Sequence, residues 1–171
     1  MNQYLQINGR YFEPTKHIAW IIGNTEYGNV RIGTGNQAWR DIAAAKSDVA
    51  SMTVLLKEEL GFETTRTLDA RREDMDSQFE KIKKQIKVDY HDEQVLVYMY
   101  YSGHGVMATL TKMVCNEADS MLRYWDLEAK LSELSMLPNA YVIGVFDCCR
   151  ESLTTAEAVQ NESPVQGEEC A

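Results

Sequence analysis

Two apolar runs, each ending in a short polar tag, constrain this chain more than any other feature. Gln94-Val95-Leu96-Val97-Tyr98-Met99-Tyr100 leads into Tyr101-Ser102-Gly103-His104-Gly105, and Tyr141-Val142-Ile143-Gly144-Val145-Phe146 leads into Asp147-Cys148-Cys149-Arg150-Glu151. Near-continuous apolar runs of this length read as strands buried on both faces, the environment of a parallel sheet covered by helices. As parallel neighbours, the two strands carry His104 and Cys149 at their C-terminal tips to one edge of the sheet. Sites of open α/β sheets lie at that edge.

The intervening segments supply the helices. From Asp41 to Leu60 the apolar residues Ile42, Ala45, Val49, Met52, Leu56 and Leu60 recur at three- and four-residue steps, which predicts an amphipathic helix ended by Gly61. Met75, Phe79, Ile82 and Ile86 define a second helix with an exposed charged face, and Leu127, Leu131 and Leu134 a third that closes near Pro138. Arg66-Thr67-Leu68 suits a short strand, and Leu110 to Val114 suits a hairpin arm. Alternation of this kind predicts an α/β, three-layer α-β-α fold with a mostly parallel central sheet and right-handed crossovers. Residues 16–155 form the domain, residues 1–15 an N-terminal extension and residues 156–171 a flexible acidic tail.

Composition narrows the partners. A formal charge of −9 and a pI near 4.8 argue against nucleic acid or an anionic membrane surface, both of which need clustered Lys and Arg. Cys115, Cys148, Cys149 and Cys170 show neither zinc-finger spacing nor a disulfide framework, which predicts reduced thiols and a cytoplasmic address. The N-terminus lacks a basic start followed by an apolar core, and no stretch has the length of a membrane span.

A thiol is mostly protonated at neutral pH, so nucleophilic use of Cys149 needs a neighbour that takes its proton, and His104 is the candidate. The N–H groups of Gly105 and Cys149 are the candidate oxyanion donors in acyl transfer, so the site needs no metal or cofactor. Taken singly, His104 is a loop histidine between turn glycines and Cys149 a strand-end thiol. Their joint occurrence at two strand tips, 45 residues apart, outweighs that reading. His17 and His91 lie away from the strand tips and read as structural or solvent-facing. Trp20, Trp39 and Trp125 read as packing.

On Ser102-Gly103-His104-Gly105 and Asp147-Cys148-Cys149-Arg150 the chain resembles the caspase-like cysteine peptidases, the clan that includes metacaspases and paracaspases. The resemblance extends over about residues 16–155, with Ile18-Ala19-Trp20-Ile21-Ile22-Gly23-Asn24 as first strand and Leu60-Gly61-Phe62-Glu63 after the first helix. It implies a cysteine endopeptidase acting on polypeptides, with Cys149 rather than Cys148 as nucleophile. Strand alternation agrees that only one of the two thiols can face His104.

For the residue before the scissile bond, the resemblance offers two hints. Asp147 replaces the caspase glutamine, as in metacaspases and paracaspases, and a carboxylate there attracts Arg or Lys and repels Asp. The clan's second acidic pocket residue, on the first helix, matches Asp48 best, with Asp41 a weaker match. Against this, Arg31-Ile32-Gly33-Thr34 resembles the caspase segment whose arginine binds a substrate aspartate, which leaves cleavage after Asp as the alternative.

Only 22 residues of the 171 follow Cys149, fewer than the small-subunit portion of the clan. A dimer or a small-subunit-like partner is therefore expected to complete the groove. A non-catalytic interaction domain on the same fold is a rival reading. Val106 to Glu117 lacks the acidic cluster through which metacaspases bind calcium, so calcium dependence is not expected. Gly33-Thr34-Gly35-Asn36-Gln37-Ala38 fits a dinucleotide fingerprint, but the first strand ends about ten residues too early for one.

Overall fold

The computed structural model describes residues 5–7, 10–28, 30, 38–107, 109–117, 124–149 and 151–152. Arg31-Ile32-Gly33-Thr34, the glycines of the dinucleotide-like fingerprint, Arg150 and the segment 156–171 lie outside these residues. In chain order the elements begin with β1 (Leu5–Ile7), β2 (Arg10–Phe12), β3 (Lys16–Gly23), α1 (Ala44–Val54), β4 (Glu63–Leu68) and α2 (Arg72–Lys84). They continue with β5 (Val95–Gly103), β6 (Gly105–Met107), β7 (Thr111–Val114), β8 (Tyr124–Trp125), α3 (Leu127–Ser135), β9 (Ala140–Cys148) and β10 (Glu151–Ser152).

The central sheet has four strands in the order β4-β3-β5-β9, and every neighbouring pair is parallel. It is the mostly parallel sheet of an α/β fold, as the apolar runs predict. The two faces are covered by different helices because successive side chains of a strand point to opposite sides. Ile18, Trp20 and Ile22 join Met75, Phe79, Ile82 and Ile86 of the α2 region and Leu127 and Leu134 of α3 in the main core. Ala19, Ile21 and Tyr100 point the other way, onto Val49 and Leu56.

The helices follow the apolar periods, with differences at their ends. α1 starts at Ala44 rather than near Asp41, whose carboxylate accepts a hydrogen bond from the Tyr27 N–H at 2.7 Å. After α1 a π-helical turn at Leu55–Glu59 runs up to Gly61, which sits at φ 72°, the left-handed conformation that ends helices. α2 carries Glu73 and Asp74 in its first turn and Lys81, Lys83 and Lys84 in its last, complementing the helix dipole. The Arg66-Thr67-Leu68 strand begins earlier, at Glu63.

Two small sheets accompany the main one. β1 and β2 form an antiparallel pair within the expected N-terminal extension. The other, in the order β10-β6-β7-β8, contains the expected hairpin arm as the antiparallel pair of β6 and β7. Strands of two or three residues are too short to show a period, so most of this sheet is not visible as sequence pattern.

Asn24, fully buried just beyond β3, ties the sheet's C-terminal edge together. Its amide donates to Val114 O at 2.8 Å, and its Oδ1 accepts from the Ala70 N–H at 3.2 Å. Asn24→Ala orphans both backbone groups and is expected to cost about 1–3 kcal/mol, measured by denaturant unfolding.

Candidate active site

Strand register places the histidine opposite the cysteine. β5 and β9 pair with Gly103 opposite Cys148, and beyond the tips β6 and β10 pair with Val106 opposite Glu151, an offset of 45 residues in both ladders. His104 and Cys149 sit between the two ladders at the same offset, so each lies across from the other. Cys149 Sγ is 3.8 Å from His104 Nδ1 and 3.6 Å from Gly105 O. Cys149 is exposed, whereas Cys148 packs half-buried against the main core. The strand alternation thus separates the two thiols as expected.

The imidazole is held by groups the sequence did not single out for this task. His104 Nε2 lies 2.7 Å from Arg40 O. A carbonyl can only accept, so Nε2 carries a proton and, in the neutral ring, Nδ1 presents its lone pair to the thiol. The ring is flanked by Trp39, centroid to centroid 4.6 Å, and by the edge of Tyr27 at 4.7 Å. Trp39 is therefore packing, as read from the sequence, but packing against His104.

Gly105 owes its lack of a side chain to the same closure. A Cβ there would lie 2.5 Å from Cys149 O and 2.6 Å from Cys148 Sγ, so only glycine lets β6 approach the β9 tip.

The two candidate pocket carboxylates come together on the α1 side of the sheet. Ser102 and Asp147 are register partners, and Ser102 Oγ donates to Asp48 Oδ2 at 2.9 Å. Burial, then Asp147, then Asp48, raises the Tyr100 phenol above its ordinary value, so both carboxylates act on one hydroxyl. Asp147 is exposed and Asp48 half-buried. Asp41, the weaker match, instead caps the Tyr27 backbone.

His17 packs against Phe62, and His91 is exposed beside Asp92, both away from the strand tips. Among the described residues no group of three or more His, Cys, Asp and Glu side chains is arranged to hold a metal ion. Nor is any helix there long and apolar enough to cross a membrane.

Among the described residues β9 forms one edge of the central sheet, and its α1-side residues Ile143 and Val145 stay 42% and 37% exposed, since the α1 core packs on β3 and β5. Compared with known proteins, residues 16–170 match the family model of the caspase domain. No curated protein sequence matches the chain.

Proposed function

The chain belongs to the caspase domain family, a family of cysteine peptidases, and we propose that it is an endopeptidase that cleaves polypeptides after Arg or Lys. The reading rests chiefly on one observation, the Nε2 contact to Arg40 O that leaves Nδ1 3.8 Å from Cys149 Sγ.

In this reading the thiol proton passes to Nδ1 of His104 as Sγ attacks the scissile carbonyl carbon. The C=O π pair moves onto oxygen, and the N–H groups of Gly105 and Cys149 stabilise that oxyanion. Its collapse breaks the C–N bond, and the imidazolium gives its proton to the departing amine. His104 then deprotonates a water, which attacks the thioester carbon and releases the carboxylic acid and the thiol. The sequence of steps needs no metal or organic cofactor.

Selectivity for Arg or Lys is supported by Asp48 and Asp147 acting on one side of the sheet tip, around Ser102 and Tyr100. A substrate carboxylate placed there meets two like charges, which costs several kcal/mol of repulsion and desolvation, whereas a guanidinium or ammonium is attracted. The β9 edge, unpaired among the described residues, and its exposed Ile143 and Val145 favour a dimer mate or small-subunit-like partner as the further wall of the groove.

The test is hydrolysis of matched fluorogenic peptides ending in Arg, Lys or Asp, with and without added calcium. Arg and Lys peptides are expected to be cleaved in both conditions and the Asp peptide left intact. Asp48→Asn is expected to raise KM for the Arg peptide by about tenfold, roughly 1.4 kcal/mol, with a smaller change in kcat. Preferred cleavage after Asp would overturn the pocket assignment, and no cleavage of any peptide would favour a non-catalytic domain.

A further inference from the structure

His104 is the single residue between β5 and β6, and two buried tyrosines hold its backbone. The His104 N–H donates to Tyr27 Oη at 2.9 Å, and Tyr101 Oη donates to His104 O at 2.6 Å. The two hydroxyls are 3.4 Å apart, and both side chains are fully buried. With the Tyr101 proton committed to His104 O, the remaining contact runs from the Tyr27 O–H to Tyr101 Oη. A closed ring of three hydrogen bonds results, in which each hydroxyl both donates and accepts. Val114 N–H supplies a second donor to His104 O at 3.0 Å.

Gly103 makes room for this ring. A Cβ at that position would stand 2.4 Å from the Tyr101 hydroxyl oxygen and 2.6 Å from that of Tyr27. Burial raises both phenols, so each remains a neutral donor and acceptor throughout the pH range of ordinary assays.

We propose that Tyr27 and Tyr101 are positioning residues for His104: by gripping both ends of its main chain they hold Nδ1 at Cys149. The inference rests on the peptidase reading of the His104–Cys149 pair. The imidazole already has lateral walls in Trp39 and Tyr27 and an acceptor in Arg40 O. Those contacts place Nδ1 only if the residue's Cα is itself fixed, and a displacement of about 1 Å at such a site costs about 10²-fold in rate. The tyrosines touch no reacting atom and act only through His104.

The test reads Cys149 directly rather than through turnover. Alkylation of Cys149 by iodoacetamide is followed by peptide mapping at about pH 6.5, where an ordinary thiol stays protonated unless a neighbouring base takes its proton, and at about pH 9, where hydroxide can take it instead. Tyr27→Phe and Tyr101→Phe keep the ring volume and remove one hydroxyl each. Both are expected to slow alkylation at the lower pH by at least about tenfold and to change it little at the higher pH. The double variant is expected to match the worse single variant, because either substitution opens the same ring.

His104→Ala separates the two ideas. If it leaves the low-pH alkylation rate unchanged, the dyad reading fails. If it slows that rate while both Tyr→Phe variants, folded by thermal melt, react like the wild type, the dyad stands and the positioning role is overturned. A lowered melting temperature with an unchanged low-pH rate assigns the tyrosines to packing alone, with the same consequence. Should one variant fail to fold, the other carries the same reading, since each opens the ring.

Discussion

Cys149→Ala is expected to abolish hydrolysis of Arg and Lys peptides, a loss of more than about 10⁴-fold, because in the proposed mechanism no thioester forms without its thiol. Cys148→Ala is expected to stay close to the wild-type rate. The adjacent thiols differ in surroundings rather than chemistry: Cys149 is exposed with Sγ 3.8 Å from His104 Nδ1, whereas Cys148 packs against the main core. His104→Ala is expected to lower kcat by roughly 10²–10⁴-fold with KM little changed, since the role proposed for it is proton transfer and not binding. Steady-state kinetics on the three variants checks the set. Full activity in Cys149→Ala, or its loss in Cys148→Ala with a native melting curve, would move the nucleophile to the other thiol.

Gly105→Ala is expected to abolish peptide hydrolysis while the fold survives. The added methyl would lie 2.5 Å from Cys149 O and 2.6 Å from Cys148 Sγ, and the backbone oxygen cannot swing aside as a side chain would. Overpacking of this kind costs about 1–3 kcal/mol. Relief comes from moving the β9 tip away from β6, which carries Cys149 away from His104, and a shift near 1 Å there costs about 10²-fold. Gly28→Ala is the control, since a methyl at Gly28 meets nothing within 4 Å. Peptide hydrolysis together with thermal melting measures both effects, and wild-type activity in Gly105→Ala would show that the two strand tips are not held as close as this contact implies.

The helix cores were legible because their apolar residues recur with the helical period. Met75, Phe79, Ile82 and Ile86 were placed on one face by spacing alone, and all four are buried against the sheet. The same spacing puts Leu60 in the first helix, yet it is 55% exposed, because the chain leaves the helix there toward Gly61. The candidate dyad was legible too, since apolar runs mark strand tips and parallel strands gather their tips at one edge.

The tyrosines were out of reach of that reasoning. In the sequence Tyr101 is only the first residue of the tag that follows an apolar run, and Tyr27 belongs to no period at all. Their hydroxyls acquire a task only when β3 and β5 lie side by side and the loop after β3 folds back under His104. Arg40 offers a main-chain carbonyl, which every residue has, so its side-chain identity carries no signal for the contact to Nε2.

By itself the sequence determined the α/β architecture, the faces of the helices and the two strand tips that carry a histidine and a thiol, because each follows from a local period or from a residue type at the end of an apolar run. Tertiary structure alone decided which nitrogen of His104 faces the thiol, which hydroxyl Asp48 accepts from and why Gly103 and Gly105 have no side chains. Those properties depend on distances between segments far apart in the chain, and such distances are set by register and packing rather than by local sequence.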